Sequence, residues 1–207
     1  MSGPHPRSAR TLVAATAALG TGWVVARTRP LHAAERGVSA AVRRRLPGRG
    51  SEVVGIATDL GSSFAVAGAA ATLAALGRRE RAIDVGVSGG LAWIAAQGAK
   101  PLLDRPRPYE SDGAERLVAV PAGSSWPSGH AAVAAAMAVA LSEDARQPAP
   151  AMLAGMSVFV AASRVHVGVH HPSDVIAGWG LGVLVANVWR LVRRPVLGLV
   201  GRLGRGD

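Results

Sequence analysis

Residues 128–142 read Ser128-Gly129-His130-Ala131-Ala132-Val133-Ala134-Ala135-Ala136-Met137-Ala138-Val139-Ala140-Leu141-Ser142 and contain no Asp, Glu, Lys or Arg. The stretch opens on a helix start signal: Ser128 suits the N-cap, and Pro127 stops the helix from extending backwards. Beyond that start no polar face recurs at helical period, so the helix is apolar all round. The helices of a soluble bundle carry a solvated stripe, and this segment has none.

The same character returns along the chain. Thr11 to Ala26 runs 16 residues without a charge, and Glu52 to Leu76 is interrupted only by Asp59. Ala82 to Ala99 carries only Asp84, while Ala149 to Ser163 and Val175 to Trp189 carry no charge. A bilayer core of about 30 Å needs roughly 20 helical residues, so several of these stretches must borrow length from their flanks. Together they predict an all-α fold: a compact multi-pass transmembrane bundle of about six helices, with spans near 11–26, 52–76, 82–99, 128–142, 149–165 and 173–193. Small residues four apart, as in Gly178 with Gly182 or Ala131 with Ala135, suit close helix approach, although Ala is abundant everywhere. Trp23, Trp126, Trp179 and Trp189 are candidates for interface anchors; Trp93 lies too centrally in its stretch.

Composition narrows the classes further. The hydrophobic share is 49%, the charged share 17% and the Cys count zero, which excludes a disordered chain, a disulfide-stapled module, thiolate catalysis and Cys-based zinc sites. The net charge of +10 comes almost wholly from Arg, with Lys100 the single lysine. These charges cluster between apolar stretches without interleaved aromatics, so nucleic-acid binding is not expected.

Three blocks follow: 1–50, 51–194 and 195–207. In the first, a basic start and an apolar run lack a small-residue cleavage site after Ala26, which reads as a retained anchor. Leu31 to Leu46 mixes Ala and Val with Glu35, Arg36 and Arg43 to Arg45, the pattern of an amphipathic helix lying in the membrane interface, ended by Pro47, Gly48 and Gly50. The second block is the bundle and the third a basic tail.

Three polar islands interrupt the apolar pattern. The first is Lys100-Pro101-Leu102-Leu103-Asp104-Arg105-Pro106-Arg107-Pro108, stiffened by three prolines. Lys100, Arg105 and Arg107 there suit an anion clamp, or equally a contact with lipid headgroups. The second is Trp126-Pro127-Ser128-Gly129-His130, where free backbone N–H groups at a helix start attract anions and Gly129 allows close approach. The third holds Ser163, Arg164, His166, His170, His171, Pro172, Ser173 and Asp174. With Pro172 opening the last helix, Asp174 falls in its first turn, four residues beyond His170 and able to fix that imidazole's tautomer. Three closely spaced His also suggest a metal, but no second carboxylate or His pair completes a ligand set, so none is expected. Counting crossings brings the chain near 100, 128 and 165–172 to one membrane face. Two His, an Asp and three cations gathered at a helix N-terminus predict a phosphoryl-transfer hydrolase.

In order and spacing these residues resemble the type-2 phosphatidic acid phosphatase superfamily. The signature consists of Lys100 with six residues before Arg107-Pro108, then Pro127-Ser128-Gly129-His130, then Ser163-Arg164 with five residues before His170 and three before Asp174. The resemblance implies a bundle of about six transmembrane helices and catalysis without a cofactor or metal. It implies that His170 attacks phosphorus to form a phosphohistidine, that Asp174 orients it, and that His130 serves first as acid and then as base. Lys100, Arg107, Arg164, Ser128 and the Gly129 amide would hold the phosphoryl oxygens. His166 and His171 are then expected to line the pocket or contact headgroups. The implied substrates are lipid phosphates reached at the membrane: polyprenyl phosphates, diphosphates or prenyl-phosphoryl sugar phosphates, slightly ahead of phosphatidic acid and phosphatidylglycerol phosphate. Family habit puts the site on the outer side, although seven Arg between Arg27 and Arg49 then offend the positive-inside tendency. The soluble vanadium haloperoxidases share the motif set, and the apolar stretches argue against them; a catalytically dead lipid-binding scaffold would have no need of an intact signature.

Overall fold

The computed structural model describes residues 6–44, 54, 58–143 and 145–203, and no strand forms among them. The helices are α1 (Pro6–Arg27), α2 (His32–Arg44), α3 (Ser63–Ala75), α4 (Arg79–Ala99), the single turn α5 (Pro108–Ser111), α6 (Gly129–Ser142), α7 (Ala149–His166) and α8 (Pro172–Leu203). Every apolar stretch thus yields a helix. The stretch 52–76 is shortened, because Ser62 caps α3 by accepting from the Ala65 N–H at 3.2 Å and Thr58–Gly61 forms a separate 3-10 turn. The expected break at Pro47, Gly48 and Gly50 lies outside the described residues.

The all-apolar α6 is the centre of the bundle, packed against α4, α7 and α8. Its buried positions include Ala131 through Ala136, Ala138 and Ala140, so burial goes right round the helix. Gly178 and Gly182 of α8 face it: a Cβ at Gly178 would meet the Ser128 carbonyl oxygen, and one at Gly182 the Ala132 carbonyl oxygen. One turn of α8 between them turns to α1, where a Cβ at Gly180 would sit 2.6 Å from the Ala15 oxygen. Glycine at four-residue spacing therefore does what the sequence suggested, letting backbones approach where a side chain would hold them apart.

Among the described residues, two helices are by themselves long and apolar enough to cross a bilayer: α1 over Ala9–Arg27 and α8 over Pro172–Leu199. Of the other expected spans, α3 and α6 have 13 and 14 residues. At 1.5 Å per residue these rise only about 20 Å, short of the hydrocarbon core. The outer surface is nonetheless apolar on helix after helix, with Phe64, Leu91, Ile94, Met152, Met156, Val158, Val188 and Leu191 all exposed. A soluble protein does not leave so continuous an apolar surface to water.

From the 31–46 segment comes α2, His32–Arg44, which packs on α7 and α8 and buries Glu35 and Ser39 there. Two expectations are corrected here. The block 195–207 is no separate tail through Leu203, because α8 continues across Pro195. Of the tryptophans, Trp126 and Trp189 are buried: Trp126 packs edge-to-face on Trp23 and Trp189 Nε1 donates to Asp84 at 2.9 Å.

Candidate active site

At one end of the bundle, a cavity of about 450 Å³ is lined by Lys100, Arg107, Gly129, His130, Arg164 and His170, with Asp59, Phe64, Trp93 and Gln97 also in its wall. Each polar island contributes. Lys100 caps the C-terminal end of α4, Arg107 precedes α5, Gly129 and His130 open α6, Arg164 closes α7, and His170 sits just before α8.

The cationic side of the cavity is partly tied down and partly open. Lys100 Nζ donates to the Ser124 carbonyl at 2.6 Å. Burial pulls its pKa down to about 8, Arg107 pushes it the same way, and Asp174 partly offsets both. Arg107 is almost wholly buried, and its guanidinium donates to the carbonyls of Ala122, Gly123, Ser124 and Val169. It therefore fixes the loop that closes the cavity as well as charging its wall. Arg164 Nη1 donates to Thr58 Oγ1 at 3.1 Å, whereas its buried Nε has no partner among the described residues. A buried guanidinium donor left unpaired is costly unless an acceptor arrives.

The start of α6 provides that opportunity. Ser128 is the N-cap, its Oγ accepting from the Ala131 N–H at 3.4 Å, and its own N–H donates to the Asp174 carbonyl. At Gly129 an added Cβ would meet only Gln97 Oε1, at 3.9 Å, so the protein's own packing does not require glycine there. What the missing side chain leaves clear is the approach to the first amides of α6, which are positive in character.

His170 is buried, with Nδ1 3.7 Å from Asp174 Oδ2 and no hydrogen-bond partner among the described residues. This is longer than a hydrogen bond; catalytic contacts often tighten only around bound substrate. Burial holds the imidazole pKa down to about 4, against the pull of Asp174 and with Arg107 and Arg164 pushing further down. Its ring is therefore neutral at ordinary pH, with a nitrogen lone pair free. Asp174 is fixed from several sides: Arg105 Nη1 at 2.6 Å, Ser125 Oγ at 2.5 Å and the His171 N–H at 2.8 Å. His130 stands across the cavity mouth from Asp59, Nε2 to Oδ1 3.9 Å.

Not every residue singled out in the sequence reaches the cavity. Arg105, grouped with Lys100 and Arg107 as a clamp, turns away and binds Glu35, Ser173 and Asp174. Ser128 is fully buried behind the wall, its hydroxyl engaged in capping. His166 and His171 are buried outside the cavity wall: His166 Nδ1 lies 3.5 Å from the Val42 oxygen, and His171 Nε2 lies 3.3 Å from that of Pro106. Conversely, sequence reasoning missed Thr58, which holds Arg164 and Ser163, and Asp59 beside His130. Both lie in a 3-10 turn remote from the motifs, and only Asp59's charge within an apolar stretch could have flagged it. Among the described residues no three His, Asp or Glu converge as a metal-ligand set.

Residues 81–196 match the PAP2 superfamily. The decaprenylphosphoryl-5-phosphoribose phosphatase of Mycolicibacterium smegmatis is 35% identical over 149 residues, covering 70% of this chain and 81% of that protein. The undecaprenyl-diphosphatase of Sulfolobus acidocaldarius is 36% identical over 107 residues, half of each chain (50% and 51%). Among solved structures, the transmembrane PAP2-type phosphatidylglycerolphosphate phosphatase of Bacillus subtilis superposes with a TM-score of 0.74 at 21% identity, over 88% of this chain and 96% of the other. LpxE of Aquifex aeolicus gives 0.65 at 22% identity, over 73% and 92%. The fold is that of the PAP2 membrane phosphatases, and the chain is a membrane protein. It belongs to the PAP2 superfamily.

Proposed function

We propose that this PAP2-superfamily chain hydrolyses the phosphate of a membrane-anchored lipid, using His170 as nucleophile. The observation that carries the reading is the convergence of two imidazoles and three cationic side chains on one cavity at the start of α6. Nε2 of His170, the ring nitrogen turned from Asp174, attacks phosphorus while the bond to the leaving oxygen breaks. His130 supplies the proton that the leaving alcohol or phosphate takes up. Asp174 faces Nδ1–H and supports the positive ring of the phosphohistidine. A water then attacks phosphorus, His130 takes its proton, and His170 leaves as the neutral base. Lys100, Arg107, Arg164 and the α6 amides balance the charge on the phosphoryl oxygens, and most strongly in the transition state, when that charge is greatest. Ser128 serves the site indirectly: its Oγ caps α6 and so fixes the amides that face the phosphoryl oxygens.

The substrate class we favour is a polyprenyl phosphate, diphosphate or prenyl-phosphoryl sugar phosphate. Both relatives described above act on polyprenyl lipids by name, and the cavity wall includes exposed Phe64 and Trp93, which suit an apolar chain entering beside the phosphate. We further read the chain as multi-pass, with the cavity on the outer side of the membrane as family habit has it. The test is phosphate release in detergent with a chelator present, comparing a prenyl diphosphate, a prenyl-phosphoryl sugar phosphate, phosphatidic acid and phosphatidylglycerol phosphate. The prenyl lipids should turn over faster. A preference for the glycerophospholipids would overturn the substrate class, and no release from any would overturn the function.

A further inference from the structure

Behind His170, on the side away from the cavity, lies a buried ionic cluster that the reaction scheme leaves unexplained. Arg105 is 6% exposed and bridges two carboxylates, with Nη1 2.6 Å from Asp174 Oδ1 and Nη2 2.6 Å from Glu35 Oε2. Ser173 closes the ring: its Oγ accepts from Arg105 Nη1 at 2.7 Å and donates to Glu35 Oε1 at 2.6 Å. The same Glu35 oxygen accepts the Ser173 backbone N–H at 3.0 Å. Glu35 comes from α2, outside the segment that matches the family.

We propose that Glu35 is a positioning residue for the His170–Asp174 pair, acting through Arg105 and Ser173. Two effects combine. First, one guanidinium shared between two carboxylates cannot neutralise both, so a net negative charge remains behind His170, where Asp174 must support a positive phosphohistidine ring. With Glu35 gone, Arg105 has only Asp174 as counter-ion and draws its field away from the imidazole. Second, Glu35 takes up a free N–H in the first turn of α8, one residue before Asp174, and so fixes the turn that aims that carboxylate. On this account α2 is the part of the N-terminal segment that completes the site, and its docking on α7 and α8 serves to deliver Glu35.

This inference rests on the hydrolytic reading, and the experiment separates the two. The full chain in detergent, with chelator and the best prenyl phosphate from the substrate comparison, is assayed as wild type, His170→Ala, Glu35→Gln, Glu35→Asp and the double variant Glu35→Gln/Arg105→Gln, with thermal unfolding recorded for each. Glu35→Gln should lower kcat roughly 10- to 100-fold, the size found for a group one shell behind a metal-bound histidine, with KM within about twofold. Glu35→Asp, which keeps the charge on a shorter arm, should fall between. The double variant should turn over faster than Glu35→Gln, because removing the unshared Arg105 restores the net negative charge that the wild-type cluster holds behind His170. A purely structural role predicts the reverse, each added loss making matters worse. If wild type is active and His170→Ala silent, yet Glu35→Gln keeps wild-type kcat or the double variant is slower than it, the inference falls alone. If Glu35→Gln does not fold, the double variant decides: kcat within about tenfold of wild type supports the role, and a greater loss overturns it. A silent wild type, or a fully active His170→Ala, sinks both.

Discussion

Lys100, the chain's single lysine, sits at the cavity with a pKa drawn down to about 8. It is cationic below that pH and loses its charge as pH rises through it, so affinity for an anionic phosphate should weaken on the alkaline side. In the free enzyme, reported by kcat/KM, activity should fall roughly 10- to 30-fold between pH 7.5 and 9.5. Lys100→Arg keeps a charge throughout that range and should remove the fall, even if its overall rate is lower. An identical alkaline limb in the variant would show that another group titrates there. The residues of the cavity were largely legible because their spacing is specified: Lys100, Arg107, Gly129, His130, Arg164 and His170 all meet. Arg105 was not. It lies in an irregular proline-rich segment with no helical or strand period from which its facing could be read, and proximity to Lys100 and Arg107 suggested the wrong side.

The helices illustrate the difference between reading existence and reading extent. Uniform lack of charge was enough to find α1, α4, α6, α7 and α8, but the length of α3 depends on Ser62 acting as a cap, a choice among several polar residues that tertiary packing made. The docking of α2 was hidden for a different reason: Glu35 is one charge among many Arg in an amphipathic pattern, and its partners Arg105 and Ser173 lie 70 and 138 residues further along the chain. Close packing of α6 on α8 gives a prediction at this scale. Gly182→Ala forces a methyl onto the Ala132 carbonyl and should destabilise the protein by about 1–3 kcal/mol, read as a lowered unfolding temperature in detergent. Gly155→Ala on α7, with nothing within 4 Å, should be neutral or stabilising by up to about 1 kcal/mol. Equal effects would mean that the α6–α8 approach is not what holds the bundle.

Across the whole molecule the two ends are built differently. Away from the cavity, Arg193 binds Asp84 and Glu143, with Glu143 oxygens at 2.9 Å, while Arg81 reaches the carbonyls of Ala140 and Glu143. There the buried carboxylates are paired and the helix ends tied together. At the cavity end, the Arg164 Nε atom is buried without a partner among the described residues. The far end is tied by ion pairs, whereas under the proposed function a phosphate oxygen would satisfy the open Arg164 donor. The alternation of apolar stretches and polar islands predicted this convergence, since segments joined by successive helices return to the same end. The most direct measurement of the central claim is rapid acid-free quenching of the enzyme with a substrate labelled at its terminal phosphate, followed by localisation of the label. The account predicts a label that is stable to alkali, labile to acid, formed with chelator present, mapped to His170, absent from His170→Ala and retained in His171→Ala. A turning-over enzyme that carries no such label, or carries it on another residue, would contradict it.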